Sequence, residues 1–216
     1  MTDVRAIREV LAGLNPGGVT KLEEALRGSA GDPARVSAFS ACHRWFGSSP
    51  LPASVVAALK NLDREMAWEL WPQDGLARLY ALLTGLGSDS GYLAKITAHL
   101  DLREHEAVAR SLGLLPESDT VRNLAREAMR SNAGSVFAAL AVGNPYPARH
   151  FDNAIFNQMV VKCLFTGTPV KGVVGLEKRL NPELARMLGD YRKELAAAGK
   201  ALPADLEGLL GAGAVR

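Results

Sequence analysis

Residues 144–162 read NPYPARHFDNAIFNQMVVK, a turn with two prolines followed by a segment that is apolar on nearly every side. If residues 153–165 form a helix at 100° per residue, one broad face is apolar and Val161 and Phe165 lie on the other face. The broad face consists of Ile155, Phe156, Met159, Val160, Cys163 and Leu164. A helix that is apolar all round belongs in the interior of a protein, so this segment predicts a buried helix, and the helical spacing found along the rest of the chain extends this to an all-α fold.

Three polar side chains interrupt this apolar helix: Asn157, Gln158 and Lys162. Gln158 and Lys162 are one turn apart, so they should project together. A buried amide without a partner costs about 1–3 kcal/mol, and an unpaired ammonium group costs more. These side chains therefore need hydrogen bonds, a ligand or a cleft.

Two interpretations of these polar residues stay open. In the structural one, Asn157 and Gln158 bond free carbonyl groups at helix ends, and Lys162 neutralises a helix C-terminus. In the functional one, they line a mostly apolar pocket together with polar residues near them in the sequence. The candidate ligand-binding set is Arg130, Asn132, Asn144, Tyr146, His150, Asp152, Asn157, Gln158 and Lys162.

His150 and Asp152 are the candidates for metal binding or catalysis. No second histidine lies one helical turn from His150, and the other histidines fall in separate predicted helices: His43, His99 and His105. The alternative is that Asp152 or Asn153 caps the following helix while His150 packs in the turn. We therefore expect no metal site, no cofactor and no catalytic residue. An enzyme with a spatially assembled site around His150 and Asp152 stays open.

Composition excludes several classes of protein. The 216 residues are 48% hydrophobic and 22% charged, which is ordinary for a globular chain with a real core. The net charge of +2 gives no strong field, so nucleic-acid binding is not expected. No run reaches the roughly 18 apolar residues that a membrane span needs, and no signal peptide is recognisable. We expect a cytoplasmic protein whose two cysteines, Cys42 and Cys163, are reduced core thiols.

Helical spacing with clear stop signals recurs along the whole chain, and strand patterns are nearly absent. After three helices before Gly47 and a longer one from residue 51 to about 70, further helices are predicted at 90–100, 102–112, 119–131, 133–142 and 182–198. The short connections favour stacked helical hairpins, as in a HEAT-like solenoid, with an irregular helical bundle as the alternative. We expect one domain over 1–216, with N-terminal helices in 1–115 and the more distinctive part in 116–216.

Five motifs give the chain its resemblance to a known family: Arg-Ser-Asn at 130–132, Asn-Pro-Tyr-Pro at 144–147, Phe-Asp at 151–152, Asn-Gln-Met-Val-x-Lys at 157–162 and Gly-Leu-Glu-x-Arg at 175–179. With these motifs the chain resembles the EboA-domain family. His150 stands where relatives often carry tyrosine, which further weakens the metal hypothesis.

The resemblance implies a bacterial cytoplasmic protein from a gene cluster that builds and moves a small, often prenylated, secondary metabolite. It implies no known catalyst and supplies no catalytic residues. We therefore predict a non-enzymatic helical protein that binds an apolar intermediate or another protein of the same cluster. The alternatives are an enzyme and a pure protein–protein scaffold that uses the concave surface of the stacked helices.

Overall fold

The computed structural model describes residues 2–28, 33–88, 91–98 and 100–213, and over these ranges the chain is all-α with no strand. The predicted fold class is thereby confirmed. The helices are α1 (Val4–Leu14), α2 (Pro16–Leu26), α3 (Pro33–Phe46), α4 (Ala53–Leu59), α5 (Gln73–Ser88), α6 (Tyr92–Thr97), α7 (Leu102–Ser111), α8 (Asp119–Arg130), α9 (Gly134–Ala141), α10 (Tyr146–His150), α11 (Asn153–Thr166), α12 (Leu176–Arg179), α13 (Pro182–Ala197) and α14 (Ala204–Gly213). The pair Asp32-Pro33 predicts an N-cap at Asp32 followed by proline at the first helical position, but Asp32, like His99, lies outside the described residues.

Helix starts follow from local sequence chemistry. Asn15 caps α2 by accepting a hydrogen bond from the Gly18 amide, and Asn181 caps α13 in the same way, each just before a proline. Proline suits the first helical position because its missing N–H would have no partner there. At α7, Asp101 and Glu104 form a reciprocal capping box. These starts are therefore readable from the sequence.

The predicted long helix from residue 51 to about 70 is wrong. Helix α4 ends at Leu59, and the chain then makes a turn that leads to a short 3₁₀ segment at Trp68–Leu70. After that turn, the Asp63 carboxylate accepts hydrogen bonds from the backbone amides of Glu65 and Met66, so the helix does not resume there. An aspartate that binds nearby amides in this way offers the backbone an alternative to the helix.

Most helices pack against elements close to them in the sequence. Helix α3 lies on α2 and α5, α7 lies on α5 and α9, and α9 is flanked by α8 and α11. Helix α11 then packs on α13, and α13 on α14. One hydrophobic cluster runs through these contacts, from Ile7 in α1 to Leu206 in α14. Within the described residues, no helix is both long and apolar enough to cross a membrane. The division into 1–115 and 116–216 stays a prediction.

Candidate functional site

Helix α11 runs from Asn153 to Thr166, so the helix predicted at 153–165 is confirmed. The Asp152 carboxylate caps it by accepting a hydrogen bond from the Ile155 amide at 2.8 Å. The broad apolar face is buried except for Ile155, which is half-buried. The expectation of burial on every side is wrong, because Phe165 is 75% exposed. Helix α11 packs mainly on α9 and α13, and that leaves one face to solvent.

The ammonium group of Lys162 is hydrogen-bonded to the C-terminal end of α8. Its Nζ donates hydrogen bonds to the Met129 carbonyl at 2.7 Å and the Ser131 carbonyl at 3.0 Å. The same atom lies 4.5 Å from the centre of the Phe137 ring. Burial lowers the pKa of Lys162 from its ordinary value. This geometry is the one that the structural interpretation predicts, a cation at a helix C-terminus.

Asn157 is buried and pairs with the residue that caps α13. Its Nδ2 donates to Asn181 Oδ1 at 3.0 Å, and Asn181 Nδ2 donates back to Asn157 Oδ1 at 3.0 Å. Asn181 also accepts a hydrogen bond from the Leu184 amide at the start of α13. The reciprocal amide pair therefore fixes α11 against the first turn of α13.

Gln158 lies on the exposed face of α11. Gln158 and Lys162, one turn apart and expected to project together, therefore have different surroundings. Lys162 turns toward α8, whereas Gln158 lies on the same solvent-facing side as Phe165. Asn132 is also exposed.

Asn144 is buried at the junction of three helices. Its Nδ2 donates to the Ala109 carbonyl at 2.9 Å and the Ala139 carbonyl at 3.2 Å, and its Oδ1 accepts from the Tyr146 amide at 3.0 Å. These bonds join the end of α7, the end of α9 and the start of α10. A Cβ atom at Gly113 would lie only 2.8 Å from Asn144 Oδ1, which is too close. The absence of a side chain at Gly113 therefore lets Asn144 occupy this position.

Tyr146 and His150 meet a glutamate just before α8. The two rings stack with centroids 4.6 Å apart, and both point polar atoms at Glu117: the Tyr146 hydroxyl at 3.5 Å and His150 Nδ1 at 3.6 Å. Arg122 also contacts the Glu117 carboxylate, at 3.2 Å. Burial, followed by the nearby Glu117 charge, raises the pKa of Tyr146 to about 12. Asp152 serves as the cap of α11 and does not join this cluster.

The candidate residues therefore do not converge on one pocket. Lys162 and Arg130 lie at the C-terminal end of α8, whereas Tyr146 and His150 lie beside Glu117 at its N-terminal end. A helix of 12 residues is about 18 Å long. That separation is too great for one small ligand to contact both groups directly.

Two apolar grooves lie on the described surface. The first, here called the α7–α8 groove, has a volume of about 450 Å³. It is lined by Leu100, Leu102, His105, Val108, Ala109, Leu124, Glu127, Ala128, Arg130, Ser131, Ala133 and Val136. The second, here called the α14 groove, has a volume of about 620 Å³ and lies between the 170–180 segment and α14, where Lys171 and Asp205 form an ion pair at 3.3 Å. Only the first contains a residue of the candidate set, Arg130.

A model of the family described as "Metabolite traffic protein EboA" matches residues 19–211, which is nearly the whole chain. The chain belongs to the EboA family. No curated protein and no solved structure matches this chain.

In this EboA protein, sequence reasoning overlooked two residues that organise the region. Arg179, from the Gly-Leu-Glu-x-Arg motif, donates to the Pro147 carbonyl at 3.0 Å and to Asn153 Oδ1 at 2.9 Å, and its guanidinium lies 4.3 Å from the Phe156 ring centre. The sequence does indicate Arg179 as a candidate, because it belongs to this motif. Glu117 carried no local signal for this cluster, because Tyr146 and His150 are about thirty residues away in the sequence.

No metal site is assembled in the described part of this EboA chain. There, no group of three or more His, Cys, Asp or Glu side chains is placed to hold a metal ion. The polar motif residues that are buried or half-buried instead bind helix ends: Asn144, Asn157, Lys162 and Arg179 all bond backbone carbonyls or a capping side chain. These residues hold the helices in place around the grooves.

Proposed function

We propose that this EboA protein is a non-enzymatic binding protein for a small apolar metabolite and that the α7–α8 groove is its site. The observation that carries the proposal is an open apolar groove whose rim includes Arg130 of the Arg-Ser-Asn motif. The family description, metabolite traffic, gives the coarser role. Binding without conversion is the simplest chemistry that serves such a role.

The groove has the size and lining of a small-molecule site. Its volume of about 450 Å³ falls within the roughly 300–1,000 Å³ typical of ligand pockets. Buried Val108, Ala128 and Val136 form part of the wall, and Leu102 beside them is 53% exposed. Covering apolar surface stabilises a complex by about 25 cal/mol per Å², so an apolar ligand that covers Leu102 gains affinity there.

Three polar side chains on the rim would orient the polar end of such a ligand. His105, Glu127 and Arg130 are all exposed and line the groove, so they offer both donors and acceptors. Lys162 supports the rim indirectly, because its bonds to the Met129 and Ser131 carbonyls hold the chain on either side of Arg130. Lys162 is thus a positioning residue for the groove rim and need not touch the ligand.

The enzyme alternative has less support. Asp152 is engaged as a helix cap, and within the described residues His150 has Glu117 as its charged neighbour and Tyr146 stacked on its ring. Neither His150 nor Glu117 lines the two grooves described above. The scaffold alternative needs no groove, and ligand binding separates it from the present proposal.

The remaining parts of the proposed role come from the family resemblance. We propose a bacterial, cytoplasmic protein that carries a secondary metabolite, prenylated in some pathways, or that hands it to another protein of its gene cluster. A prenyl chain fits the groove chemically because its surface is entirely apolar.

Native mass spectrometry tests this proposal directly. The protein is purified from a host that expresses the whole gene cluster, alongside a Leu124→Trp variant. Leu124 is half-buried and lines the groove, so the larger indole ring should narrow it. Wild type should carry a small molecule, and the variant should carry much less.

The matched control is Leu202→Trp, since Leu202 is 39% exposed and lies in the connection before α14, away from the groove. Thermal melting of each protein checks that folding is retained. Equal retention by Leu124→Trp and wild type would place the ligand elsewhere. Absence of any bound molecule in wild type would favour the scaffold alternative.

A further inference from the structure

A third cavity lies on the other side of α7 from the α7–α8 groove. It has a volume of about 220 Å³ and is lined by Ser48, Pro72, Asp74, Gly75, Arg78, Arg103, Glu106, Ala107 and Arg110. Three guanidinium groups, from α5 and α7, line this small space, and we call it the arginine cleft. Its α7 residues are different from those of the groove, so the two sites are separate.

Arg78 is the buried member of the cleft. Its side chain is only 4% exposed, and its Nη1 donates to Asp74 Oδ2 at 2.6 Å. His43 Nδ1 lies 3.2 Å from the same oxygen. Within the described structure, the buried Arg78 Nε has no hydrogen-bond partner. An unpaired N–H on a buried cation is costly, so Asp74 does not fully satisfy this guanidinium.

The charges in the cleft do not cancel. Arg78, Arg103 and Arg110 carry three positive charges, and Asp74 and Glu106 carry two negative ones, which leaves a net charge of +1. The Asp74 carboxylate is already bound by Arg78 and His43. The N-terminal turn of α5, a 16-residue helix, also lines the cleft and adds the positive end of its dipole.

We infer that the arginine cleft binds a phosphate-class oxyanion. Guanidinium groups form paired hydrogen bonds with phosphate oxygens, and three of them approaching from two helices suit a tetrahedral anion with several oxygens. The cleft of about 220 Å³ has room for roughly seven water volumes, which suits a phosphate group better than a large ligand. Burial lowers the pKa of Arg110, and a bound anion would offset that effect. The inference does not rest on the proposed function.

Isothermal titration with inorganic phosphate at constant ionic strength tests the site. Wild type should bind one phosphate saturably in the millimolar range or below. Arg103→Gln and Arg110→Gln should each weaken binding about ten-fold or more, the loss expected for one charge-assisted hydrogen bond. Arg103 is exposed and Arg110 half-buried, so both variants should fold, and thermal melting checks this.

Arg192→Gln is the matched control, because Arg192 is an exposed arginine on α13 outside the cleft. Its phosphate affinity should equal that of wild type. No saturable binding, or equal affinity in all three variants, would overturn the inference. Acetate binding as tightly as phosphate would overturn the phosphate assignment. Competition by phenyl phosphate distinguishes a phosphate ester from free phosphate as the source of the anion.

Discussion

The hydrogen bonds of Lys162 give a quantitative test of how α11 holds α8. In a Lys162→Met variant, the aliphatic stem stays packed while both bonds, to the Met129 and Ser131 carbonyls, are lost. Hydrogen bonds from a charged donor contribute about 1.5–3 kcal/mol, and a cation at a helix C-terminus contributes about 0.3–1 kcal/mol. Because Lys162 is half-buried, water replaces part of both bonds in the variant, so we take a total below the sum of these terms, about 2 kcal/mol.

Urea denaturation followed by circular dichroism measures this loss of unfolding free energy. The melting temperature should fall by about 4–8 °C for a chain of this size. The matched control is Gln158→Ala, one turn earlier on the exposed face of the same helix. That change should alter the unfolding free energy by less than about 0.5 kcal/mol. If Lys162→Met is as mild as Gln158→Ala, then Lys162 does not support the end of α8 and the reasoning is refuted.

Three further predictions concern buried groups. The raised pKa of Tyr146, about 12, means that the folded state keeps a proton that the unfolded chain loses near its ordinary pKa of about 10. Stability should therefore fall as the pH rises between these values, and Tyr146→Phe should flatten that fall in urea melts; an unchanged slope would contradict it. Asn157→Leu should lower the unfolding free energy by about 1–3 kcal/mol in the same assay, because it leaves Asn181 without its amide partner; a neutral result would show that the pair is dispensable. Burial raises the thiol pKa of Cys42 and Cys163 to about 12, so Ellman's reagent should label neither in the folded protein and both in urea, whereas rapid native labelling would refute their burial.

Local chemistry made much of the fold predictable. The α11 start follows from the Asp152 cap, and the α13 start follows from Asn181 and the proline after it. The break after Leu59 is hard to predict because the apolar spacing continues past it, and Asp63 takes the amides of Glu65 and Met66 that a continued helix would use. Competition of that kind is decided by a single side chain and leaves little trace in the periodicity.

The candidate site was less predictable because its contacts are distant in the sequence. Lys162 could have faced a ligand or a helix end, and the choice depends on the Met129 carbonyl, 33 residues away. The exposure of Gln158 was unpredictable for a different reason. Helix α11 carries apolar residues on nearly every side, so their periodicity does not identify the side that faces solvent. The α7–α8 groove arises from three helices, so only Arg130 among the candidates indicated its place.

Methyl-labelled NMR with the prenyl alcohol farnesol as an apolar probe tests the central claim most directly, because it shows which side chains a ligand touches. If the α7–α8 groove is the binding site, the methyl signals of Val108, Leu124 and Val136 should shift saturably. The methyl signals of Val173 and Leu176 in the α14 groove should stay unchanged. Saturable shifts confined to the α14 groove, or no saturable shift at all, would contradict the account.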